Sequence, residues 1–378
     1  VDLFSKDMSH ANDDVDAGRT WMRRALELAE RGRGHVSPNP IVGAVVVRDG
    51  RPVAQGWHRR LGEAHAEVMA LDRAGAKARG ADLYVTLEPC AHTGRTPPCT
   101  EAIVRAGIRR CFVALRDPHL IVNGRGIREL RRAGVRVTVG TCAREARHAL
   151  EGYWLAHTQG RPRVTWKVAS TLDGRIADSA GRSRWITGAE SRRAGHRLRA
   201  RSDAVLIGAG TARADDPRLT ARVLGASRQP LRVVCSTGLD LPLSLRVLEP
   251  PLARGTVVAC ASDAPRARAR VLERRGVRVW RLPTSRGRVS PRALARRLAR
   301  AGCHEVLLEG GATLGTAWMR AGLVDRVALF TAPLVLGSSG LAWCGALGIE
   351  RLARARRGRI AACGRHGADA YALVEFGD

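Results

Sequence analysis

The sequence predicts an α/β protein of two domains, and three observations carry that prediction. Short β-branched runs alternate with helix-length stretches through both halves, the pattern of sheets covered by helices. The alternation breaks once, near residues 156–163, where Gly160 and Pro162 interrupt it. A chain of 378 residues with 45% apolar residues is long for one domain and comfortable for two. The predicted domains are residues 1–158 and 159–378.

The elements follow in order. Gly18–Ala29 reads as a helix ahead of a strand at 41–48, where IVGAVVV is a buried-strand run. Asp49-Gly50 then turns the chain into a second strand near 53–58, a hairpin signal. A helix over Ala64–Ala74, a strand over Asp82–Thr86 and a helix from Pro98 to Gly107 come next. A strand at Cys111–Leu115, a helix and a strand at Val135–Val139 close the first domain. In the second, strands are predicted at Val164–Ala169, Ala204–Ile207, Leu231–Cys235, Thr256–Cys260, Val277–Trp280, Glu305–Leu308, Val327–Thr331 and Tyr371–Phe376. Helices fill most gaps, notably Ser290–Arg300 and Thr313–Arg320. No G-x-G-x-x-G follows the first strand of this half, so an ordinary Rossmann unit is not indicated.

Composition removes several classes of function. No apolar run approaches the roughly 18 residues of a membrane span. Residues 1–20 are polar and acidic, which argues against a secretory signal and for a cytoplasmic protein. Nine cysteines, scattered from Cys90 to Cys363, fit a reducing compartment with a few metal-bound thiols better than a disulfide framework. The formal charge of +29 invites a nucleic-acid partner. Yet only Lys6, Lys77 and Lys167 are lysines; the rest of the 64 basic residues are arginines spread through both halves, without a stripe. No specific nucleic-acid partner is expected, because charge alone speaks to non-specific association.

Residues 65–99 hold the most specific chemistry. His65-Ala66-Glu67 is followed by Pro89-Cys90 and Pro98-Cys99, the H-x-E…P-C set of zinc-dependent nucleobase deaminases. One imidazole and two thiolates hold Zn²⁺ and leave its fourth position open to water, which the metal acidifies. His65 and Glu67 are expected in the first turn of one helix and Cys99 in that of the next, where thiol pKa values fall. Glu67 is the expected proton shuttle between water and a departing amine. A closed structural zinc is the competing reading; it needs a fourth protein ligand, for which His92, and more weakly His58, are candidates. Eight residues, AHTGRTPP, separate the cysteines, where short-spaced deaminases have two.

SPNPIVGAVVVRDG, GWHRRLGEAHAEVMAL and TLEPCAHTGRTPPCTEAIVRAGI together resemble the bifunctional riboflavin-biosynthesis deaminase–reductase family. The resemblance implies a cytidine-deaminase-like three-layer domain. In it, Asn39 contacts the pyrimidine, and Arg95 and Thr96 shape the pocket for a ribosylated, phosphorylated substrate. The family's D-P-N-P is Asp117-Pro118-His119-Leu120 here, a departure in a turn. WKVASTLDGRIA, SRWITG, TARADDPRLTAR and LLEGGATLGTAWMRAGLVD fall in the order of the family's reductase domain, which is dihydrofolate-reductase-like and uses NADPH. By that resemblance Ala169, Trp185, Thr211, Asp215, Ser236, Gly311, Ala312, Thr313, Leu314, Gly315, Thr316 and Ala317 contact the cofactor. Ser183, Arg199, Leu219, Arg222 and Glu309 face the substrate. Gly310-Gly311 ends a buried strand and opens a helix, so free N–H groups can face a phosphate. Lys167 is expected beside this groove, with a role near the substrate ring or none; Asp215 and Asp216 form a carboxylate pair of which either one assists proton delivery, or Asp216 merely caps a turn before Pro217.

The expected function is zinc-dependent deamination followed by NADPH-dependent reduction of the ribosyl side chain, on small-molecule substrates, with no membrane partner. Family habit adds a homodimer. Two alternatives are a tRNA or nucleoside deaminase with an accessory domain, and a non-catalytic zinc-stabilised nucleic-acid-binding protein.

Overall fold

The computed structural model of the chain describes residues 5–93, 97–223 and 228–377, with side chains from residue 17 onward. The chain divides into two compact units, Val1–Gln159 and Gly160–Asp378.

The first unit runs α1 (Ser5–Glu30), β1 (Gly43–Arg48), β2 (Arg51–Trp57), α2 (Ala66–Ala74), β3 (Asp82–Val85), α3 (Cys99–Arg105), β4 (Arg110–Val113), α4 (Arg125–Arg132), β5 (Arg136–Val139), α5 (Ala143–Ala149) and α6 (Glu151–Thr158). Its sheet has the order β2-β1-β3-β4-β5; β1 is antiparallel to both neighbours, and β3, β4 and β5 are parallel. Alternation along β1 splits the core between two faces. Ala44 and Val46 pack with Ala66, Ala70, Ile103 and Leu130 of α2, α3 and α4. Val45 and Val47 pack with Met22, Ala25 and Leu28 of α1. Helix, sheet and helix make three layers, as expected.

The second unit runs β6 (Arg163–Thr171), β7 (Arg175–Ala177), α7 (Ala189–Ala200), β8 (Ala204–Gly208), α8 (Ala209–Asp215), β9 (Leu231–Cys235), β10 (Thr256–Ala261), α9 (Arg266–Arg274) and β11 (Arg278–Leu282). It continues with β12 (Thr284–Ser285), β13 (Arg288–Val289), α10 (Pro291–Arg300), β14 (Glu305–Leu308), α11 (Ala312–Arg320), β15 (Arg326–Ala332), β16 (Leu341–Ala342), β17 (Arg359–His366) and β18 (Asp369–Glu375). Nine strands form one sheet in the order β11-β10-β9-β8-β14-β6-β15-β18-β17. All neighbours are parallel except β15–β18 and β18–β17. Trp166, Leu206 and Leu308 point to the face covered by α10 and α11, through Leu294, Leu298 and Trp318. Val205, Ile207 and Leu307 point to the other, where Ala269 and Leu272 of α9 pack.

The predicted strands all form, and β17, β7, β12, β13 and β16 were not foreseen. Strand β17 lies at the sheet edge with Arg359, Ile360, Ala362 and Cys363 exposed or nearly so, which removes the period-2 burial that would announce a strand. Among the described residues, no helix is long and apolar enough to cross a membrane.

Candidate active sites

In the first unit, the loop before α2 and the first residue of α3 bring the three metal ligands together. His65 adopts extended backbone (φ −70°, ψ 163°) one residue ahead of α2, so it caps that helix where a first-turn position was expected. Cys99 is the first residue of α3, directly after Pro98. Cys90 lies on the turn beyond β3, pressed against α4: a Cβ on Gly126 would sit 1.9 Å from the Pro89 carbonyl oxygen, so only glycine permits this approach. His65 Nδ1 is 3.2 Å from Cys99 Sγ and 3.6 Å from Cys90 Sγ. The Cys99 amide donates to Cys90 Sγ at 3.4 Å. One ligand atom from each of the three lies within 4.8 Å of the others, the only such group among the described residues.

Electrostatics suit a cation here. The Cys99 side chain, and then His65, hold the Cys90 thiol down at about 4 against the effect of burial. The same contact and burial push Cys99 up. The two sulfurs thus share one negative charge, and binding Zn²⁺ through both releases the second proton. Glu67 is 3% exposed; burial raises its carboxyl, while His65 pulls it down. A carboxyl so placed exchanges protons readily.

Among the described residues, a closed site finds no fourth ligand. His58 has both ring nitrogens engaged, Nδ1 with the Ala64 carbonyl at 3.2 Å and Nε2 with Asn39 Nδ2 at 3.1 Å. His92 falls outside the ligand group and sits within electrostatic reach of Asp117 and His119. Asn39 reaches the site through His58, whose ring meets that of His65 edge-on, centroids 5.2 Å apart. Arg95 and Thr96 lie outside the described residues.

Sequence reasoning passed over Glu88. Its buried carboxylate accepts from the amides of Asp117 (3.1 Å), Gly124 (2.8 Å) and Ile127 (3.2 Å), pinning the loop after β4 beside Cys90. An acid two residues before a metal cysteine was the available signal. The departing His119 keeps the turn: its amide donates to Asp117 Oδ1 at 2.8 Å.

In the second unit, a cavity of 1840 Å³ opens at the carboxyl ends of β6, β8, β9 and β14. Ligand pockets commonly measure about 300–1,000 Å³, so this one has room for a cofactor and a substrate together. Ala169, Trp185, Thr211, Asp215, Gly311, Ala312, Thr313, Leu314 and Ala317 line it, as do Ser183, Arg199, Arg222 and Glu309. Gly311 caps α11 and its amide donates to Thr211 Oγ1 at 3.2 Å, fixing the turn at which the helix begins. Arg199 grips Glu309 with two bonds of 2.6 and 2.7 Å. Burial pushes Glu309 up, but Arg199 outweighs it and holds the carboxyl below its usual range. Lys167 lines the same cavity; burial lowers its ammonium, opposed by Glu309 and Asp215.

Four expected contacts turn away from the cavity. Gly315 packs on Trp166, where a Cβ would come within 1.9 Å of Cζ2. Thr316 is 5% exposed and accepts from the Gly345 amide at 2.8 Å. Ser236, 1% exposed, donates to Asp240 Oδ1 at 2.7 Å, and its neighbour Thr237 lines the cavity instead. Leu219 is 1% exposed, with its side chain in the core. The alternate inward and outward pattern of one helix turn sets Gly315 and Thr316 apart from Thr313 and Leu314. Asp216 is a turn residue: Arg246 binds its carboxylate through the amide at 2.8 Å and Nε at 2.9 Å.

Fold and site define a zinc-dependent deaminase domain followed by a dihydrofolate-reductase-like domain with a cofactor-sized cleft. Residues 16–115 match the model for the cytidine and deoxycytidylate deaminase zinc-binding region, and residues 162–366 that for the RibD C-terminal domain. The riboflavin biosynthesis protein RibD of Aquifex aeolicus (strain VF5) is 42% identical over 334 residues, 88% of this chain and 91% of its own. That of Escherichia coli (strain K12) is 39% identical over 347 residues, 89% and 93%. A solved structure of Acinetobacter baumannii RibD superposes with a TM-score of 0.87 at 36% identity, covering 96% of this chain and all of that one. A Thermotoga maritima structure, described as a diaminohydroxyphosphoribosylaminopyrimidine deaminase/5-amino-6-(5-phosphoribosylamino)uracil reductase, gives 0.83 at 34% identity with the same coverage. The chain belongs to the RibD family, bifunctional deaminase–reductases of riboflavin biosynthesis that use zinc and NADPH. A tRNA or nucleoside deaminase with an accessory domain, or a non-catalytic zinc-stabilised nucleic-acid-binding protein, is not favoured.

Proposed function

We propose that the first unit deaminates 2,5-diamino-6-(5-phosphoribosylamino)pyrimidin-4-one and that the second reduces the product's ribosyl side chain to ribityl. The observation that carries the first step is the His65–Cys90–Cys99 group with the buried Glu67 beside it. Zinc held by these three residues supplies Lewis-acid activation of water. Glu67 takes the proton of the attacking water and delivers it to the amino group that leaves as ammonia. Asn39, oriented by His58, supplies an amide to the pyrimidine edge.

For the second step, NADPH supplies hydride to the opened sugar. The amides of Ala312 and Thr313 at the start of α11 would hold its phosphates, with Thr211 bracing the turn through the Gly311 amide. The Arg199–Glu309 pair presents a fixed, charge-balanced wall to the substrate. Arg222, bonded to His196 at 2.9 Å, is the nearby cation for the ribose phosphate. Residues 1–158 and 159–378 are the proposed limits of the two catalytic domains, in a cytoplasmic homodimer; location and assembly rest on the family resemblance. The test supplies the zinc-loaded protein with the phosphoribosylaminopyrimidine and measures ammonia, then adds NADPH and follows its absorbance. Ammonia release followed by nicotinamide oxidation is expected. Oxidation of NADPH without prior ammonia release would overturn the order of steps.

A further inference from the structure

We propose that the β12–β13 hairpin reads the 2′-phosphate of NADPH through Arg286 and Arg288, and so sets the preference for NADPH over NADH. This rests on the cofactor lying in the cleft of the second unit.

Strand β13 lies against β10, the neighbour of β9, so the hairpin stands at the end of the cleft away from Lys167 and Glu309. Val289 anchors it in the core beside Ala259, Trp280 and Leu294. Arg286, Gly287 and Arg288 line the cleft mouth, as do Thr237 and Asp240 beyond β9. With its phosphates at the start of α11, a dinucleotide extending across β9 would place its adenosine end here.

Two observations single these arginines out from the many in the chain. Of the other cleft arginines, Arg193, Arg199, Arg213 and Arg246 pair with acids, and Arg184, Arg192 and Arg222 bond to the Asp215 carbonyl, the Thr187 carbonyl and His196; among the described residues Arg218 is the other one with neither. Arg286 and Arg288 have no acid partner among the described residues. Asp240, the acid that lines the cleft beyond β9, is held by Arg213 at 2.8 Å and by Ser236 at 2.7 Å. An acid left free for a ribose 2′-hydroxyl favours NADH, whereas free guanidinium groups favour a 2′-phosphate. The second observation is backbone geometry. Arg286 has φ 52° and Gly287 φ 70°, a two-residue turn with both central residues left-handed. Such turns select Asn, Asp or Gly at the first position, and arginine there runs against local preference. A charge retained at a conformational cost, at the mouth of a cofactor-sized cleft, points to a ligand.

The turn supplies its own fold-safe variant, because Arg286→Asn creates the preferred Asn-Gly pair. The full-length protein carrying Arg286→Asn and Arg288→Gln should melt no lower than the wild type. Calorimetric titration with 2′,5′-ADP should show affinity reduced about ten- to hundredfold, the range for lost charge-assisted bonds. Affinity for 5′-AMP should change less than twofold. In steady state, KM for NADPH should rise while kcat and the KM for NADH hold. Equal losses for both nucleotides, or no loss for either, would overturn the assignment. Wild-type protein that binds NADPH but shows no difference between 2′,5′-ADP and 5′-AMP would overturn it while leaving the cofactor site in place. Failure of the wild type to bind NADPH at all would remove both.

Discussion

Replacing Glu67 by Gln is the most demanding perturbation of the first site, because it changes charge and proton capacity while keeping shape. Glu67 is the second residue of α2, almost fully enclosed, and its neighbours are the metal ligands themselves. Gln fits the same volume, so His65, Cys90 and Cys99 keep their spacing and zinc content should stay near one per chain. Burial raises the Glu67 carboxyl, so its ionised form is costly to hold; removing that charge should leave thermal stability unchanged or slightly higher. Catalysis should respond oppositely. A positioned general acid–base contributes about 10²–10⁴-fold, or roughly 3–5 kcal/mol of barrier at 1.36 kcal/mol per tenfold. Ammonia release by Glu67→Gln should fall by that factor, while reduction of pre-deaminated substrate by NADPH should continue at the wild-type rate. The decisive comparison is ammonia production against zinc content on one preparation. Turnover within tenfold of wild type, with zinc bound, would refute Glu67 as the proton carrier; turnover lost together with zinc would refute the claim that it stands outside the ligand set.

Cys99→Ser should abolish stoichiometric zinc binding and ammonia release but spare NADPH-dependent reduction, as elemental analysis and the two separate assays will report. Gly315→Ala should drive a methyl into Trp166 at 1.9 Å, an overpacking cost of about 1–3 kcal/mol. It should lower the melting temperature of the second unit by several degrees and weaken NADPH binding, since the start of α11 must shift. Asp117 is pushed up to about 6, first by burial, and only partly relieved by the His119 amide and the Tyr153 hydroxyl. A carboxyl raised in the folded state contributes stability that is full below its unfolded pKa and lost as pH rises through the folded one. The first unit should therefore lose on the order of 2–3 kcal/mol between about pH 4 and 6 on this account. Asp117→Asn should flatten that slope in denaturation midpoints measured across the range; an unchanged slope would exclude Asp117 as its source.

The two sites were unequally legible, for a physical reason. All three metal ligands and Glu67 fall within residues 65–99, at the ends of elements whose period the sequence announces, so motif and spacing were enough. The second cleft draws on β6, β8, β9 and β14, and on loops far apart in the chain; no local pattern says that Arg199 will meet Glu309. Family resemblance placed most of its lining, yet treated residues 311–317 as one continuous contact. A helix cannot present seven successive residues to one ligand, and Gly315 and Thr316 face the core. Ser236 fell to the same cause, being the residue that folds under the turn to hold Asp240. The edge strand β17 and the short hairpin β12–β13 were missed because exposed strands carry no alternation.

Arginine excess made the charge uninformative until the fold sorted it. With 64 basic residues against 35 acidic ones, 29 cations are in excess of the acids, and a formal +29 describes the whole surface rather than a site. Burial and pairing separate the cases. Arg163, 5% exposed, meets Glu305 in two bonds of 2.8 and 2.6 Å and serves the sheet. Arg199 makes the equivalent pair with Glu309 but does so on a cavity wall, where the same geometry faces a ligand. Arg286 and Arg288 share the cavity without an acid partner among the described residues, which leaves them open to a negative charge arriving from outside. The cofactor of this family differs from its unphosphorylated counterpart by one such charge-bearing group. Unpaired cation, cavity and turn strain therefore converge on cofactor choice, a property that neither the charge count nor the motifs contain.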